Sequence, residues 1–382
     1  MTLSCTCGPH PVVNIDLDSL NNRESSSAAQ DACSSHGCFH FRISVPHDDP
    51  SPLHNLRGDL CSNIESLFDE DMVRCAKLNP GGGLIETSYV TATSRRSATY
   101  RGRTSESGAA EQPEPKQSWE LRRCHAVVGS DVAGESSIVD ERLQQASGWI
   151  DGLHRAAEIV VQMLGVDQNT ILQNGPCGCS DMPCEDKCCM DLMRVFRYDA
   201  LPQTTRTSCP GSSPHSDWGC LTVVLQTSSG LQTYCHKCDK WSDVAASSSL
   251  DADTSKNTID LFVHVGDFLS LATGSKYPSP RHRVLCPLQK KEGSYKESRC
   301  SLVYFAYPPL GKSIEEAEMK LSANDTTLEK RGASLRYDRY SLLQNQSTQP
   351  SDKSAHKDVY DRIRTLSFEE VIKEKWAQVQ RK

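Results

Sequence analysis

Between residues 193 and 307 the chain consists of short apolar segments, rich in β-branched and aromatic residues, that alternate with turn residues. The segments that predict strands are 193–198, 221–226, 231–234, 261–265, 268–271, 282–286 and 302–307. Many short strands at modest spacing are typical of a β-barrel or a jelly roll. The sequence therefore predicts a mainly β core in this half of the chain.

Helical periodicity is found on both sides of this β-rich region. Residues 138–164 carry an apolar residue every three or four positions, and Gly165 follows where a helix C-terminus is expected. Residues 26–35 predict a shorter helix. Ser-x-x-Glu sequences begin at Ser313 and Ser367, and this capping-box spacing predicts two further helices after the β-rich region.

Composition excludes several classes of function. The chain has 382 residues and a net charge of −7, and no Lys/Arg-rich block stands out as the footprint of a nucleic-acid-binding protein. Residues 1–17 lack the pattern of a secretory signal, and no apolar run is long enough to span a bilayer. We therefore expect a soluble, cytoplasmic protein without a nucleic-acid or membrane partner.

Eighteen cysteines are many for such a chain, and reduced thiols are expected in the cytoplasm. The densest group is formed by Cys177, Cys179, Cys184, Cys188 and Cys189. Its spacing does not repeat the C-x2-C units of common zinc modules, so incidental thiols in an exposed insertion are favoured over a structural zinc or redox site. A lone C-x2-C at 235–238 is a still weaker indication of a metal or redox site.

The sequence His215-Ser216-Asp217 indicates a metal site. Positions i and i+2 of an extended segment point to the same side, so His215 and Asp217 can act together. His282, on a later predicted strand, would complete a set of two histidines and one carboxylate. Such a set leaves half of an octahedron open, as non-heme Fe(II) oxygenases require for substrate-derived ligands and O2.

The surroundings of these residues restrict the interpretation further. The segments, in order, are PHSDWGCLTVVLQ (214–226), GLQ (230–232), Trp241, VGDFLSLATG (265–274), SPRHRVLCP (279–287) and RCSLVYFAYPP (299–309). This order resembles the Fe(II)/2-oxoglutarate-dependent dioxygenases of the isopenicillin N synthase-like family. The resemblance implies a double-stranded β-helix (jelly roll) with flanking helices and a helical N-terminal region, an α+β fold with a mainly β core.

The resemblance also implies roles for individual residues. His215, Asp217 and His282 would bind Fe(II), and Arg299 with Ser301 would hold the distal carboxylate of the co-substrate 2-oxoglutarate. A guanidinium suits this task because its planar fork can donate two parallel hydrogen bonds to a carboxylate. Tyr198 would add a hydroxyl contact. The expected reaction uses O2 and couples oxidative decarboxylation of 2-oxoglutarate to hydroxylation or desaturation of a small organic substrate.

The chain departs from the usual pattern of this family in two places. Phe196 stands where the family has the asparagine of its N-x-Y motif, and Arg299 follows His282 by an unusually long 17 positions. Two alternatives to this function also stay open. One is an oxidase of the same family that does not use 2-oxoglutarate, and the other is a non-catalytic relative that binds metal or senses redox state.

Three regions are predicted along the chain. Residues 1–135 would form the N-terminal dioxygenase region, 136–310 the Fe(II)/2-oxoglutarate jelly-roll catalytic domain, and 311–382 the C-terminal helices and tail. Two stretches are polar. Residues 104–117 are predicted to form a flexible loop or linker, and residues 245–257 a disordered insertion.

Overall fold

A computed structural model describes the greater part of the chain. The residues described are 10–17, 23–46, 48–57, 60–69, 90–91, 116–122, 137–172, 191–201, 210–246, 258–288, 298–322, 339–343 and 353–380.

The β-strands of the described residues form two sheets. They are β1 (Val12–Asp16), β2 (Cys38–Ser44), β3 (Val90–Thr91), β4 (Lys116–Arg122), β5 (Leu192–Tyr198), β6 (Pro210–His215), β7 (Leu221–Gln226), β8 (Leu231–Cys235), β9 (Lys240–Asp243), β10 (Thr258–Val265), β11 (His282–Leu285) and β12 (Arg299–Ala306). The larger sheet has the order β1-β2-β10-β7-β12-β5-β4-β3, and the smaller has the order β6-β11-β8-β9. Neighbouring strands are antiparallel except β1 and β2.

The two sheets enclose an apolar interior. Phe196, Tyr198 and Phe262 of the larger sheet belong to the same buried cluster as Leu231 and Val284 of the smaller sheet. Each such side chain contributes roughly 1.5–3 kcal/mol by its removal from water. Two facing antiparallel sheets around one core are the architecture of a double-stranded β-helix, so the predicted fold class is confirmed.

Helices surround this barrel. They are α1 (Arg23–His36), α2 (Leu60–Ser66), α3 (Ser137–Met163), α4 (Gln168–Ile171), α5 (Asp267–Ala272), α6 (Ile314–Ser322), α7 (Lys353–Ile363) and α8 (Phe368–Gln380), with short 3-10 helices at Pro52–Leu56 and Ser341–Leu343. The long helix α3 is joined to the larger sheet by a 2.7 Å hydrogen bond between His154 Nδ1 and the Tyr304 hydroxyl. No helix among the described residues is both long and apolar enough to cross a membrane.

The helix ends that were predicted from sequence are confirmed. Gly165 ends α3 with a φ of +67°, a conformation that glycine adopts without steric cost. The Ser313 hydroxyl accepts from the Glu316 N–H at 3.1 Å, while the Glu316 carboxylate accepts from the Ser313 N–H at 3.2 Å. Ser367 and Glu370 exchange the equivalent pair of hydrogen bonds at the start of α8.

One predicted strand is wrong. Residues 268–271 form most of α5, whose backbone begins after Gly266 and whose six residues are all buried. Short, fully buried apolar runs carry no periodicity, so sequence alone does not distinguish a strand from one turn and a half of helix.

Several further segments differ from the sequence-based prediction. Lys116 and Gln117, placed in a flexible loop, begin strand β4. Strand β6 was not predicted, because it contains two prolines and one glycine, which are rare in strands. The cysteine group at 177–189 and most of the polar insertion at 245–257 lie outside the described residues. The three-region division stays a prediction, and strands from before residue 135 extend both edges of the larger sheet.

Candidate active site

The barrel strands bring the two predicted metal-ligating histidines together. His215 is the last residue of β6, and His282 is the first residue of β11; the two are direct partners in the antiparallel pair. Their ring centroids lie 4.3 Å apart. Asp217 follows two residues after His215, just beyond the end of the strand. Strand register therefore gathers residues that are separated by 67 positions in the sequence.

The three side chains present their donor atoms to a common point. The Nε2 atoms of His215 and His282 lie 3.5 Å and 3.6 Å from Asp217 Oδ1, and all candidate ligand atoms lie within 4.8 Å of one another. Nδ1 of His215 donates to the Ser213 carbonyl at 2.7 Å, and Nδ1 of His282 donates to the Pro280 carbonyl at 3.3 Å. A carbonyl can only accept, so Nδ1 of each ring carries a proton and Nε2 is the ring nitrogen that faces the site and could bind a metal.

The protonation states also suit a metal ion. Burial disfavours the charged form of Asp217, but the imidazoles of His282, His215 and His264 outweigh it and hold the pKa of this carboxyl well below its ordinary value. Burial lowers the pKa of His282 well below its ordinary value, although Asp217 opposes this shift. A carboxylate on Asp217 and a neutral imidazole on His282 are forms that bind Fe(II), so these residues fit this metal.

The structure adds two neighbours of Asp217 that sequence reasoning missed. The Thr222 hydroxyl donates to Asp217 Oδ2 at 2.5 Å, which leaves Oδ1 towards the histidines. His264 on β10 places Nε2 3.6 Å from the same Oδ2 and lies 4.4 Å, centroid to centroid, from His282. Its inward position follows from alternation, because Phe262 on the same strand also faces the barrel interior. That alternation is the one sequence signal that could have found His264.

The candidate co-substrate anchor, Arg299, is buried on β12 at the far end of the same interior. Its side chain donates to Gln226 Oε1 at 2.7 Å, to the Ser228 carbonyl at 3.2 Å and to the Ser301 hydroxyl at 3.4 Å. The guanidinium carbon lies 5.1 Å from the centroid of the Tyr198 ring. These contacts fix the plane of the guanidinium and leave some of its five N–H donors for a carboxylate.

The strand register explains why Tyr198 and Ser301 belong to this end of the barrel. Arg299 is paired directly with Tyr198 on β5, and Ser301 lies two residues further along the same face of β12. Gly230 makes room for the arginine, because a Cβ at this position would lie 3.0 Å from Arg299 Cδ. Its φ of +141° is also a conformation that residues with a side chain rarely adopt.

One cavity connects the metal-ligand set to the arginine, and its empty space, together with the solvent at its open side, is about 500 Å3. It is lined by Lys116, Phe196, Tyr198, Ser212, His215, Asp217, Val224, Leu231, His264, His282, Val284, Arg299, Ser301, Val303 and Phe305. All six residues singled out from sequence for metal or co-substrate binding lie in this lining. Lys116 was not singled out, since the segment that contains it was predicted to be a loop.

Comparison with known families agrees with this geometry. Residues 189–308 match the 2OG-Fe(II) oxygenase superfamily, which confirms the resemblance seen in the sequence. The match includes strands β5 to β12 and therefore both ends of the cavity.

Curated relatives are similar over short segments. The 2-oxoglutarate-dependent dioxygenase 21, chloroplastic, of Oryza sativa subsp. japonica is 37% identical over 75 residues, which are 20% of this chain and 20% of that protein. The 1-aminocyclopropane-1-carboxylate oxidase homolog 11 of Arabidopsis thaliana is 39% identical over 94 residues, 25% of this chain and 22% of that protein. The chain thus matches about a fifth of the length of these relatives.

Solved structures share the fold over a longer part of the chain. A full-length Neurospora crassa protein crystallised in complex with alpha-KG and thymine superposes with a TM-score of 0.53 at 16% identity, covering 94% of this chain and 98% of that one. At this level of identity the likeness establishes the fold alone.

Proposed function

Residues 189–308 belong to the 2OG-Fe(II) oxygenase superfamily, and from this premise we propose that the chain is an Fe(II)- and 2-oxoglutarate-dependent oxygenase. It couples oxidative decarboxylation of 2-oxoglutarate by O2 to hydroxylation or desaturation of a small organic substrate. His215, Asp217 and His282 hold Fe(II), while Arg299, Ser301 and Tyr198 hold 2-oxoglutarate.

The observation that carries this proposal is the presence of both sets of residues in one cavity. A facial set of two histidines and one carboxylate leaves three coordination positions free. Arg299 lies in the same cavity, buried and held by three hydrogen bonds. A buried guanidinium is costly without an anionic partner, and a dicarboxylate that reaches the iron would provide one.

The residues of the chain prepare the site in three ways. The Nδ1 hydrogen bonds to Ser213 and Pro280 hold the two imidazoles in one orientation, and Thr222 holds the carboxylate. Burial of Asp217 and His282 keeps water away from the reacting centre. Bound Fe(II), with 2-oxoglutarate and O2, would supply an oxidant able to remove hydrogen from an unactivated C–H bond.

A small-molecule substrate suits this cavity, because apolar side chains and a few convergent polar groups line it, as in ordinary ligand pockets. The net charge of −7 supports a role without a nucleic-acid partner, and we propose a cytoplasmic location on the composition alone.

Succinate formation tests this function. The purified chain, given Fe(II), 2-oxoglutarate and O2, is expected to release succinate, because oxidative decarboxylation of 2-oxoglutarate yields succinate and CO2. Arg299→Ala should raise the KM for 2-oxoglutarate at least tenfold, whereas Arg362→Ala, on an exposed face of α7, should leave it unchanged. Oxidation of a substrate without 2-oxoglutarate would favour the oxidase alternative, and no reaction with bound Fe(II) would favour the non-catalytic one.

A further inference from the structure

A buried glutamine contacts the candidate co-substrate anchor. Gln226, the last residue of β7, is 2% exposed and is the direct cross-strand partner of Ser301 on β12. Both side chains accept from the guanidinium of Arg299: Gln226 Oε1 from Nη2 at 2.7 Å, and the Ser301 hydroxyl from Nη1 at 3.4 Å. Gln226 is not among the described residues that line the cavity. It can therefore act on a co-substrate only through the arginine.

The backbone at residues 244–245 fixes the direction of the Gln226 amide. Its Nε2 donates to the Ala245 carbonyl at 2.8 Å and to the Val244 carbonyl at 3.4 Å. Because a carbonyl can only accept, the NH2 group faces the backbone and Oε1 faces the arginine. Val244 is fully buried, and its own N–H donates to the Leu231 carbonyl at 2.9 Å. The amide thus joins Arg299 to a fixed part of the barrel.

The acceptors that hold the guanidinium are uncharged. They are the Gln226 amide, the Ser228 carbonyl and the Ser301 hydroxyl. A carboxylate in place of the amide would also hold Arg299, but it would neutralise the arginine and compete with the carboxylate of a ligand. This competition would be strong in a buried site, where the low dielectric strengthens the attraction between opposite charges. An amide orients the guanidinium and leaves its positive charge for a ligand.

We propose that Gln226 is a positioning residue for 2-oxoglutarate. It fixes the place and the plane of the Arg299 guanidinium, and it thereby sets the preference of the site for an α-keto acid with a distal carboxylate. This inference rests on the proposed function and deepens it. A carboxylate bound by two parallel hydrogen bonds requires a guanidinium in one plane. The distance from the guanidinium to the metal ligands must also match the length of the co-substrate, and the bridge through Gln226 to the backbone fixes that distance.

The binding of two α-keto acids tests this inference. 2-Oxoglutarate is compared with 2-oxopentanoate, in which a methyl group replaces the distal carboxylate. Full-length protein loaded with Fe(II) is titrated with each acid under anaerobic conditions, and chelation is followed by visible absorption. Wild type should bind 2-oxoglutarate at least tenfold more tightly than 2-oxopentanoate.

Two variants of Gln226 remove different properties of the side chain. Gln226→Met keeps its size but removes the amide, and it should raise the Kd for 2-oxoglutarate at least fivefold. Gln226→Glu keeps its shape but places a negative charge beside Arg299, and it should abolish the preference for 2-oxoglutarate. Neither variant should change the Kd for 2-oxopentanoate or for Fe(II) by more than twofold, because neither ligand uses the guanidinium.

Gln232→Met is the matched control. Gln232 also accepts from an arginine, since Arg283 Nε donates to its Oε1 at 2.8 Å. It follows the cavity-lining Leu231 on β8, so its side chain points to the opposite face of the strand. This variant should keep the preference for 2-oxoglutarate.

The outcomes separate this inference from the function that it rests on. An unchanged preference in either Gln226 variant would overturn the positioning role while the proposed function stands. A loss of affinity for 2-oxopentanoate or Fe(II) as large as that for 2-oxoglutarate, or a lost preference in Gln232→Met, would also overturn it, since the effect would not be specific to the anchor. Failure of wild type to bind 2-oxoglutarate, or equal affinity of wild type for both acids, would instead contradict the proposed function.

Discussion

Ser216 and Ser341, which lie 125 positions apart in the sequence, exchange two hydrogen bonds. The Ser216 N–H donates to the Ser341 hydroxyl at 2.9 Å, and the Ser341 N–H donates to the Ser216 hydroxyl at 2.8 Å. Ser216 stands between the candidate metal ligands His215 and Asp217. The same hydroxyl of Ser216 donates to Asp267, which also accepts from the Leu342 N–H. A segment that follows the barrel in sequence therefore holds the backbone that carries the ligands.

Removing the Ser341 hydroxyl should loosen the metal site. Ser341→Ala leaves the buried N–H of Ser216 without its acceptor, at a cost of about 1–3 kcal/mol in the free energy of unfolding. Because the ligands on both sides of Ser216 lose their positioning, Fe(II) affinity should fall by roughly tenfold or more. Urea denaturation and anaerobic Fe(II) titration measure the two effects. Ser27→Ala, on the exposed side of α1, is the control, and an unchanged Fe(II) affinity in Ser341→Ala would contradict a positioning role.

Adding one methyl group next to the arginine should weaken co-substrate binding. In Gly230→Ala the new Cβ would lie 2.9 Å from the Leu285 carbonyl and 3.0 Å from Arg299 Cδ, at a φ of +141°. The strained backbone should cost about 1–3 kcal/mol of stability, and the displaced guanidinium should raise the Kd for 2-oxoglutarate at least tenfold. Gly311→Ala is a matched control, since no heavy atom lies within 4 Å of its added Cβ. Equal 2-oxoglutarate affinity in both variants would show that Gly230 does not shape the anchor.

The pair Glu158–His154 should make stability depend on pH. The contact with His154, 3.3 Å from Glu158 Oε1, lowers the pKa of Glu158 from its ordinary value of 4.5 to about 2, with Arg155 adding to the effect and burial opposing it. A lowered folded-state pKa stabilises the protein above pH 4.5, and this contribution is lost as the pH falls from 4.5 towards 2.

Glu158→Gln tests this dependence. The difference in unfolding free energy between wild type and Glu158→Gln should shrink by about 1–2 kcal/mol from pH 7 to pH 3, as measured by urea denaturation at each pH. Glu141→Gln, at an exposed position of the same helix, should show no comparable change. A difference that stays constant over this range would mean that the contact with His154 does not hold the carboxylate in its charged form.

Local signals made much of the site predictable from sequence. The His-x-Asp and Arg-x-Ser pairs each lie on one strand or at its end, so alternation places the two side chains of each pair on the same side. The later histidine was found from its place in the order of motifs that resembles the family. His264 and Lys116 were missed for a different reason. Alternation along β10 puts His264 on the same side as Phe262, but the place of both residues in the cavity also depends on which strands are neighbours and in what register, and a short segment does not encode this. The hydrogen bonds between Ser216 and Ser341 are even harder to predict from sequence, because the two residues lie in separate parts of the chain and have no distinctive spacing.

For the fold, too, the features that depend on neighbouring residues were predictable from sequence, and others were not. Ends of helices were predictable, as at Gly165 and Ser313, because capping depends on residues within one turn. Residues 268–271 and strand β6 were not. The first is buried on all sides and has no periodicity, and the second contains residues that are rare in strands.

We propose that His215, Asp217 and His282 bind Fe(II) next to a 2-oxoglutarate site. Visible absorption under anaerobic conditions tests it most directly, because an α-keto acid that chelates Fe(II) produces a charge-transfer band. Wild type should show the band when Fe(II) and 2-oxoglutarate are both added, as should His54→Ala, a change at an exposed histidine. His215→Ala should lose the band. No band in wild type, or an undiminished band in His215→Ala, would show that these residues do not hold Fe(II) next to bound 2-oxoglutarate.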